Sequence, residues 1–158
     1  MSLRAAVVVA SNRAASGVYA DETGPLIADW LRDQGFDCAD PAVVPDGEPV
    51  REAIAAAVAD RARVVLTTGG TGLTPTDRTP EATAPLLDRE VPGIAEAIRA
   101  AGVANGVPTA MLSRGLAGIS GDCLVINLPG SRGGVKDGLA VLEPVLRHAV
   151  EQVVGSDH

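Results

Sequence analysis

Short apolar runs alternate with amphipathic stretches along this chain, the runs are continuous in apolar character, and no linker or internal repeat divides them. Together these features predict an α/β fold: a single three-layer αβα domain over residues 1–158, with helices on both faces of a mostly parallel sheet. A length of 158 residues suits one domain with one sizeable core. Hydrophobic residues at 46% and charged residues at 21% give a globular composition, which excludes a disordered chain.

Leu3 to Ala10 is Val-rich and apolar throughout, the signature of a strand covered on both faces. Asp21 to Gln34 reads as a helix, because Leu26, Ile27, Trp30 and Leu31 recur at helical spacing and Gly35 follows as a C-terminal cap. Phe36 to Val44 forms a second strand, irregular at Pro41. After the turn Pro45-Asp46-Gly47, Pro49 opens a helix that runs to about Asp60. Arg63 to Thr68 is a third buried strand, and Thr79-Pro80-Glu81 starts the next helix with a cap, a proline and an acid in order. Pro92-Gly93 interrupts that helix, and another covers Ile94 to Ala101. Leu116 to Ile119 and Cys123 to Leu128 are strands joined at Ser120-Gly121-Asp122, an antiparallel pair at the sheet edge. Helices over Val135 to Leu142 and Pro144 to Val154 follow.

Composition narrows the function. The net charge is -7 and the isoelectric point about 4.7, with no basic run, which argues against nucleic acid as a partner. Tyr19, Trp30 and Phe36 are the whole aromatic complement, too few for a base-stacking platform, and Trp30 reads as core. No apolar stretch approaches the ~20 residues of a membrane helix. Arg4 before Ala5 to Ala10 is too short for a secretory leader and reads as a buried strand. Cys38 and Cys123 lie far apart without a CxxC, which reads as two free buried thiols in a cytoplasmic protein. His148 and His158 supply no material for a Ser–His–Asp triad or a zinc centre.

In an open α/β sheet, ligands sit beyond the carboxyl ends of the strands. Three loops fall there: Ser11 to Gly17, Gly69 to Asp77, and Pro129 to Gly134. Thr67-Thr68-Gly69-Gly70-Thr71-Gly72 is the most informative, since glycines let backbone N–H groups close on an anion and threonine hydroxyls add donors. It is neither a Walker A loop nor a Rossmann fingerprint. Gly130 to Asp137 has Val135 where the former needs glycine, and Gly70-Thr71-Gly72 runs into Leu73-Thr74-Pro75 rather than a helix. Asp46 and Asp77 share the strand-end rim; each alone serves as an ordinary turn aspartate, and together beside a phosphate loop they suit Mg²⁺. Pro129-Gly130-Ser131-Arg132 adds a hydroxyl and a guanidinium suited to phosphate, and Ser113-Arg114 is a weaker polar pair.

Taken in order, these residues resemble the molybdopterin adenylyltransferases of the Mog/MoaB family. The resemblance spans nearly the whole chain: Ser11, Asp21-Glu22-Thr23-Gly24-Pro25, Val44-Pro45-Asp46, Thr67 to Gly72, Asp77 to Ala82, Leu112-Ser113-Arg114 and Asn127 to Ser131. It implies adenylyl transfer from Mg-ATP to molybdopterin, yielding adenylyl-molybdopterin and pyrophosphate, with ATP and molybdopterin as substrates. Asp46 and Asp77 match the family's two functional acids, as catalytic residues and Mg²⁺ ligands. Ser11, Thr68, Gly69, Gly70, Thr71, Gly72, Ser113, Pro129, Gly130, Ser131 and Arg132 match its substrate and nucleotide contacts. It also implies a cytoplasmic homotrimer that works with a molybdenum-insertase protein. The chain departs from the family at Thr76-Asp77-Arg78, where many members place an arginine before the acid. Two other readings share the scaffold: a non-catalytic molybdopterin carrier, and a CinA-type domain acting on another nucleotide.

Overall fold

The structure is a computed structural model that describes residues 3–17 and 21–155. Tyr19 and His158 lie outside the described residues. The central strands are β1 (Arg4–Ala10), β4 (Val64–Thr68) and β7 (Cys123–Leu128), mutually parallel and adjacent in that order. Each is apolar along its length because both its faces are covered. Val7, Val9, Val64, Leu66, Leu124 and Ile126 point to one face, while Val8, Ala10, Val65, Cys123 and Val125 point to the other.

The first face packs against α2 (Thr23–Asp33), α5 (Pro92–Ala104), α6 (Arg132–Leu142) and α7 (Leu146–Val153) through Ile27, Leu31, Ile98, Leu139 and Val150. The second packs against α3 (Glu48–Ala59) and α4 (Thr79–Thr83) through Val50, Ile54 and Ala82. Trp30 packs against the first core, and Cys38 and Cys123 are buried free thiols. Burial pushes the Cys123 thiol up to about 12, so it packs as an apolar group. Among the described residues, no helix is long and apolar enough to cross a membrane.

The second predicted strand divides at Pro41 into β2 (Asp37–Cys38) and β3 (Ala42–Val44), which share one flank of β1. With β5 (Arg89–Glu90) and β6 (Ala117–Ser120) beyond β7, the full order is β2-β1-β4-β7-β6-β5, with β3 also on β1. Connections from β1 run to that flank and from β3 back across to β4, so the chain reverses direction at the carboxyl ends of β1 and β4. That reversal opens a ligand crevice.

Several features depart from the sequence reading, among them a 3₁₀ helix over Pro108–Leu112. A four-residue helix, α1 (Asn12–Ala15), follows Ser11, whose side chain caps it. The helix at Thr79 ends in a 3₁₀ turn (Ala84–Leu86) at Pro85, and β5 (Arg89–Glu90) intervenes before Pro92 opens α5 rather than interrupting a helix. The antiparallel pair is present as β6 (Ala117–Ser120) with β7, but β5 pairs antiparallel outside β6, so the pair is not itself the edge. Helix α6 begins at Arg132, ahead of the predicted Val135, because Ser131 Oγ accepts from Gly134 N–H and tolerates two glycines in the first turn.

Candidate functional site

The carboxyl ends of β1, β3, β4 and β7 deliver Ser11, Asp46, Gly69 and Pro129 to one end of the sheet. Gly69 and Gly70 take φ of +90° and +69°. A Cβ on Gly69 would collide with the Ala10 carbonyl, and one on Gly130 would lie 3.2 Å from Gly69 Cα. The two glycine loops therefore meet backbone to backbone, as their lack of side chains permits.

The glycine-rich loop is tied down through its carbonyls. Thr79 Oγ1 donates to Gly69 O at 2.9 Å and Thr79 N–H to Gly70 O at 3.0 Å. The Arg114 backbone N–H donates to Thr71 O at 2.8 Å, and its guanidinium reaches Gly72 O at 2.9 Å, Asp77 O at 2.7 Å and Glu81 Oε2 at 2.6 Å. Among the described residues, the N–H groups of Gly70, Thr71 and Gly72 donate to no protein group. The loop's acceptors are consumed by protein donors and its N–H donors are left without protein acceptors, which is the polarity of an anion nest. Behind it, Asn127 Nδ2 donates to Thr67 Oγ1 at 3.0 Å and Thr83 Oγ1 at 3.1 Å, while its Oδ1 accepts from Leu116 N–H at 2.9 Å.

Asp46 and Asp77 both approach this loop, Asp46 at Gly70 and Asp77 at Gly72. Asp46 N–H donates to Asn12 Oδ1 at 2.9 Å, and a Cβ on Gly70 would lie 3.1 Å from Asp46 Oδ1. That Oδ1 is buried and has no hydrogen-bond partner among the described residues. Burial raises the Asp46 pKa, the negative charge of Asp77 raises it further, and a hydrogen bond from the Asn12 backbone offsets part of the rise. Asp77 Oδ2 accepts from the Thr74 N–H and hydroxyl at 3.1 and 2.7 Å, which fixes its direction. Two carboxylates within electrostatic reach, one with an orphaned oxygen, fit a hard cation that keeps its remaining ligands from phosphate and water. Among the described residues no third acid, His or Cys joins them.

Two cavities flank the Gly69–Gly130 ridge. One of about 470 Å³ gathers Ser11, Asp21, Thr23, Thr68 and Arg132. The other, about 370 Å³, gathers Gly70–Gly72, Asp77, Ser113, Pro129 and Ser131. Every candidate residue except Asp46, which lines neither cavity, thus falls in one of two compartments that share Gly130. Thr68 differs in detail from the sequence reading. Its hydroxyl donates to Pro129 O at 2.6 Å, so it joins the loops instead of pointing a free donor at a ligand. Arg114, a weak candidate in the sequence, is the loop's clamp, and Asn12 escaped notice because its contact with Asp46 spans 34 residues.

A family described as "Probable molybdopterin binding domain" matches residues 6–148. The chain is 46% identical over 156 residues to a molybdenum cofactor biosynthesis bifunctional protein of Synechococcus elongatus, covering 98% of this chain and 48% of that protein. It thus spans about half the length of that relative. It is 38% identical over 143 residues to a molybdopterin adenylyltransferase of Escherichia coli K12, covering 87% of this chain and 72% of that protein. The solved molybdopterin biosynthesis Mog protein of Mycobacterium ulcerans superposes with a TM-score of 0.92 at 52% identity, covering 96% of this chain and 99% of that one. Sequence and fold agree over nearly the whole chain, and the chain belongs to the molybdopterin-binding family of molybdenum cofactor biosynthesis proteins.

Proposed function

We propose that this chain is a nucleotidyltransferase that adenylylates molybdopterin in molybdenum cofactor biosynthesis. The observation that carries the reading is the loop whose carbonyls are bound by protein donors and whose Gly70–Gly72 N–H groups have no acceptor among the described residues, beside two carboxylates. A bare acid pair repels polyphosphate, whereas an acid pair that holds Mg²⁺ attracts it. Asp46 and Asp77 hold the ion, which when bound neutralises the phosphate oxygens of the reactants.

The two cavities supply one compartment for each substrate. The nucleotide occupies the Ser11–Arg132 side, where a guanidinium is at hand. Molybdopterin occupies the Ser113–Ser131 side, with its terminal phosphate at the Gly69–Gly130 ridge. An oxygen of that phosphate forms a bond to the α-phosphorus of ATP. The bond from that phosphorus to the α,β-bridging oxygen breaks, and pyrophosphate leaves with the electron pair. The chain's N–H groups hold the two anions in line and stabilise the charge that builds between them. The reading extends to a cytoplasmic homotrimer whose product passes to a molybdenum insertase. The bifunctional relative, with over half its length outside the matched segment, supports a coupling of successive steps.

The test mixes purified chain with molybdopterin and Mg-ATP and follows pyrophosphate and adenylyl-molybdopterin, with Asp77→Asn in parallel. Product from the native chain and a loss of about 10²–10³-fold in the variant are expected. Tight molybdopterin binding without pyrophosphate release overturns catalysis and makes the chain a carrier.

A further inference from the structure

The smaller cavity contains two acids. Asp77 belongs to the phosphate chemistry, while Asp137, on α6, has no part in it. Asp137 lies six residues beyond the Ser131 cap, about 9 Å along the helix axis at ~1.5 Å per residue. It is partly buried, and the cavity lining around it includes Gly102, Val107, Ala110 and Leu112. Its Oδ1 accepts from Asn105 Nδ2 at 2.8 Å, a contact that ties it to the end of α5. Among the described residues no protein donor reaches its Oδ2. A flat ligand that covers this wall removes water from a carboxylate with one oxygen unpaired, and such a group demands N–H donors from the ligand.

We propose that Asp137 is the specificity-determining residue at the pterin end of this cavity, accepting from the 2-amino group and the adjacent ring N3–H of a 2-amino-4-oxopyrimidine edge. The inference rests on the functional reading above, which puts the pterin in this compartment. Such an edge offers two N–H donors side by side, the arrangement a carboxylate accepts in parallel. A 2-oxo analogue sets an acceptor against the carboxylate and leaves it unpaired, so the site rejects it. Asn105 acts as the positioning residue, since its amide fixes one carboxylate oxygen.

The experiment measures equilibrium binding of 6-hydroxymethylpterin and its 2-oxo counterpart, 6-hydroxymethyl-lumazine, by ligand fluorescence. The native chain, Asp137→Asn and Asp137→Glu are compared, with thermal melting as the check on folding and ATP binding as the control. The native chain is expected to prefer the pterin by about 10–100-fold. Asp137→Asn should lose that preference while still binding ATP, and Asp137→Glu should recover part of it. A preference retained in Asp137→Asn overturns the assignment of Asp137 and leaves the adenylyltransferase reading standing. A native chain that binds neither 6-hydroxymethylpterin nor molybdopterin overturns that reading, and the inference with it. Guanosine monophosphate carries the same edge, and its binding in place of the pterin, lost in Asp137→Asn, overturns the pterin assignment.

Discussion

Asp46 combines a half-buried carboxylate, an orphaned oxygen and a neighbouring negative charge, and each of these opposes its ionisation. Its folded-state pKa lies above the unfolded value, so the native chain binds the proton more tightly. The contribution of Asp46 to stability is therefore fully present below the ordinary carboxylate range and is lost as pH rises through the raised value. Asp46→Asn should be more stable than the native chain at pH 7 without metal, and this gain should vanish near pH 4. Solvent screening holds the effect to at most about 1 kcal/mol, or about 2–4 °C in thermal midpoint for a chain of this length. Calorimetry across pH checks it, and equal midpoints at both pH values count against it. The same variant should lose adenylylation. Arg114 works in the opposite direction, since its hydrogen bonds hold Glu81 below its ordinary pKa and bind two loop carbonyls. Arg114→Ala strands those groups and should lower the urea midpoint of unfolding. Arg114→Lys keeps the charge without the planar fork, so it should restore little.

At the scale of elements, the site depends on how α4, β4 and β7 are locked together. Thr67 and Asn127 face each other across the β4–β7 register, and Thr83 of α4 completes the set. Asn127 is almost wholly buried with its amide fully used. Asn127→Ala leaves the Thr67 hydroxyl and the Leu116 N–H without partners, while the Thr83 hydroxyl keeps its bond to Thr79 O, and should lower unfolding free energy by about 2–4 kcal/mol. Unfolding within 1 kcal/mol of the native chain would mean that water replaces the amide. The elements also show what a sequence can disclose. Strands β1, β4 and β7 are legible because coverage on both faces makes every position apolar, and the glycine loops are legible because their backbone requires glycine. Strand β5 is not, since Arg89 and Glu90 are exposed and held by backbone pairing that leaves no side-chain pattern. The start of α6 was hidden by Gly133-Gly134, which read as loop until the Ser131 cap was seen in place. Asn12, Arg114 and Asp137 gain their roles from residues distant in sequence, so no local spacing announces them.

For the whole molecule, a net charge of -7 sets the long-range field against the anionic substrates proposed for it. On the proposed reading, attraction comes from the local N–H groups, Arg132 and a cation placed between Asp46 and Asp77. Added salt screens the repulsion as much as the attraction. The KM for Mg-ATP should therefore change by less than about twofold between ~50 and ~200 mM salt, where a basic groove would weaken steeply. Steady-state kinetics at both salt levels checks this. The sheet itself ends in stubs on both sides. One margin is divided at Pro41 into strands of two and three residues, and the other is the two charged residues of β5. Neither offers the long, regular row of free amides and carbonyls that templates runaway growth into fibrils. Growth from copy to copy by adding strands to this sheet is therefore disfavoured, and contacts between copies fall to side chains.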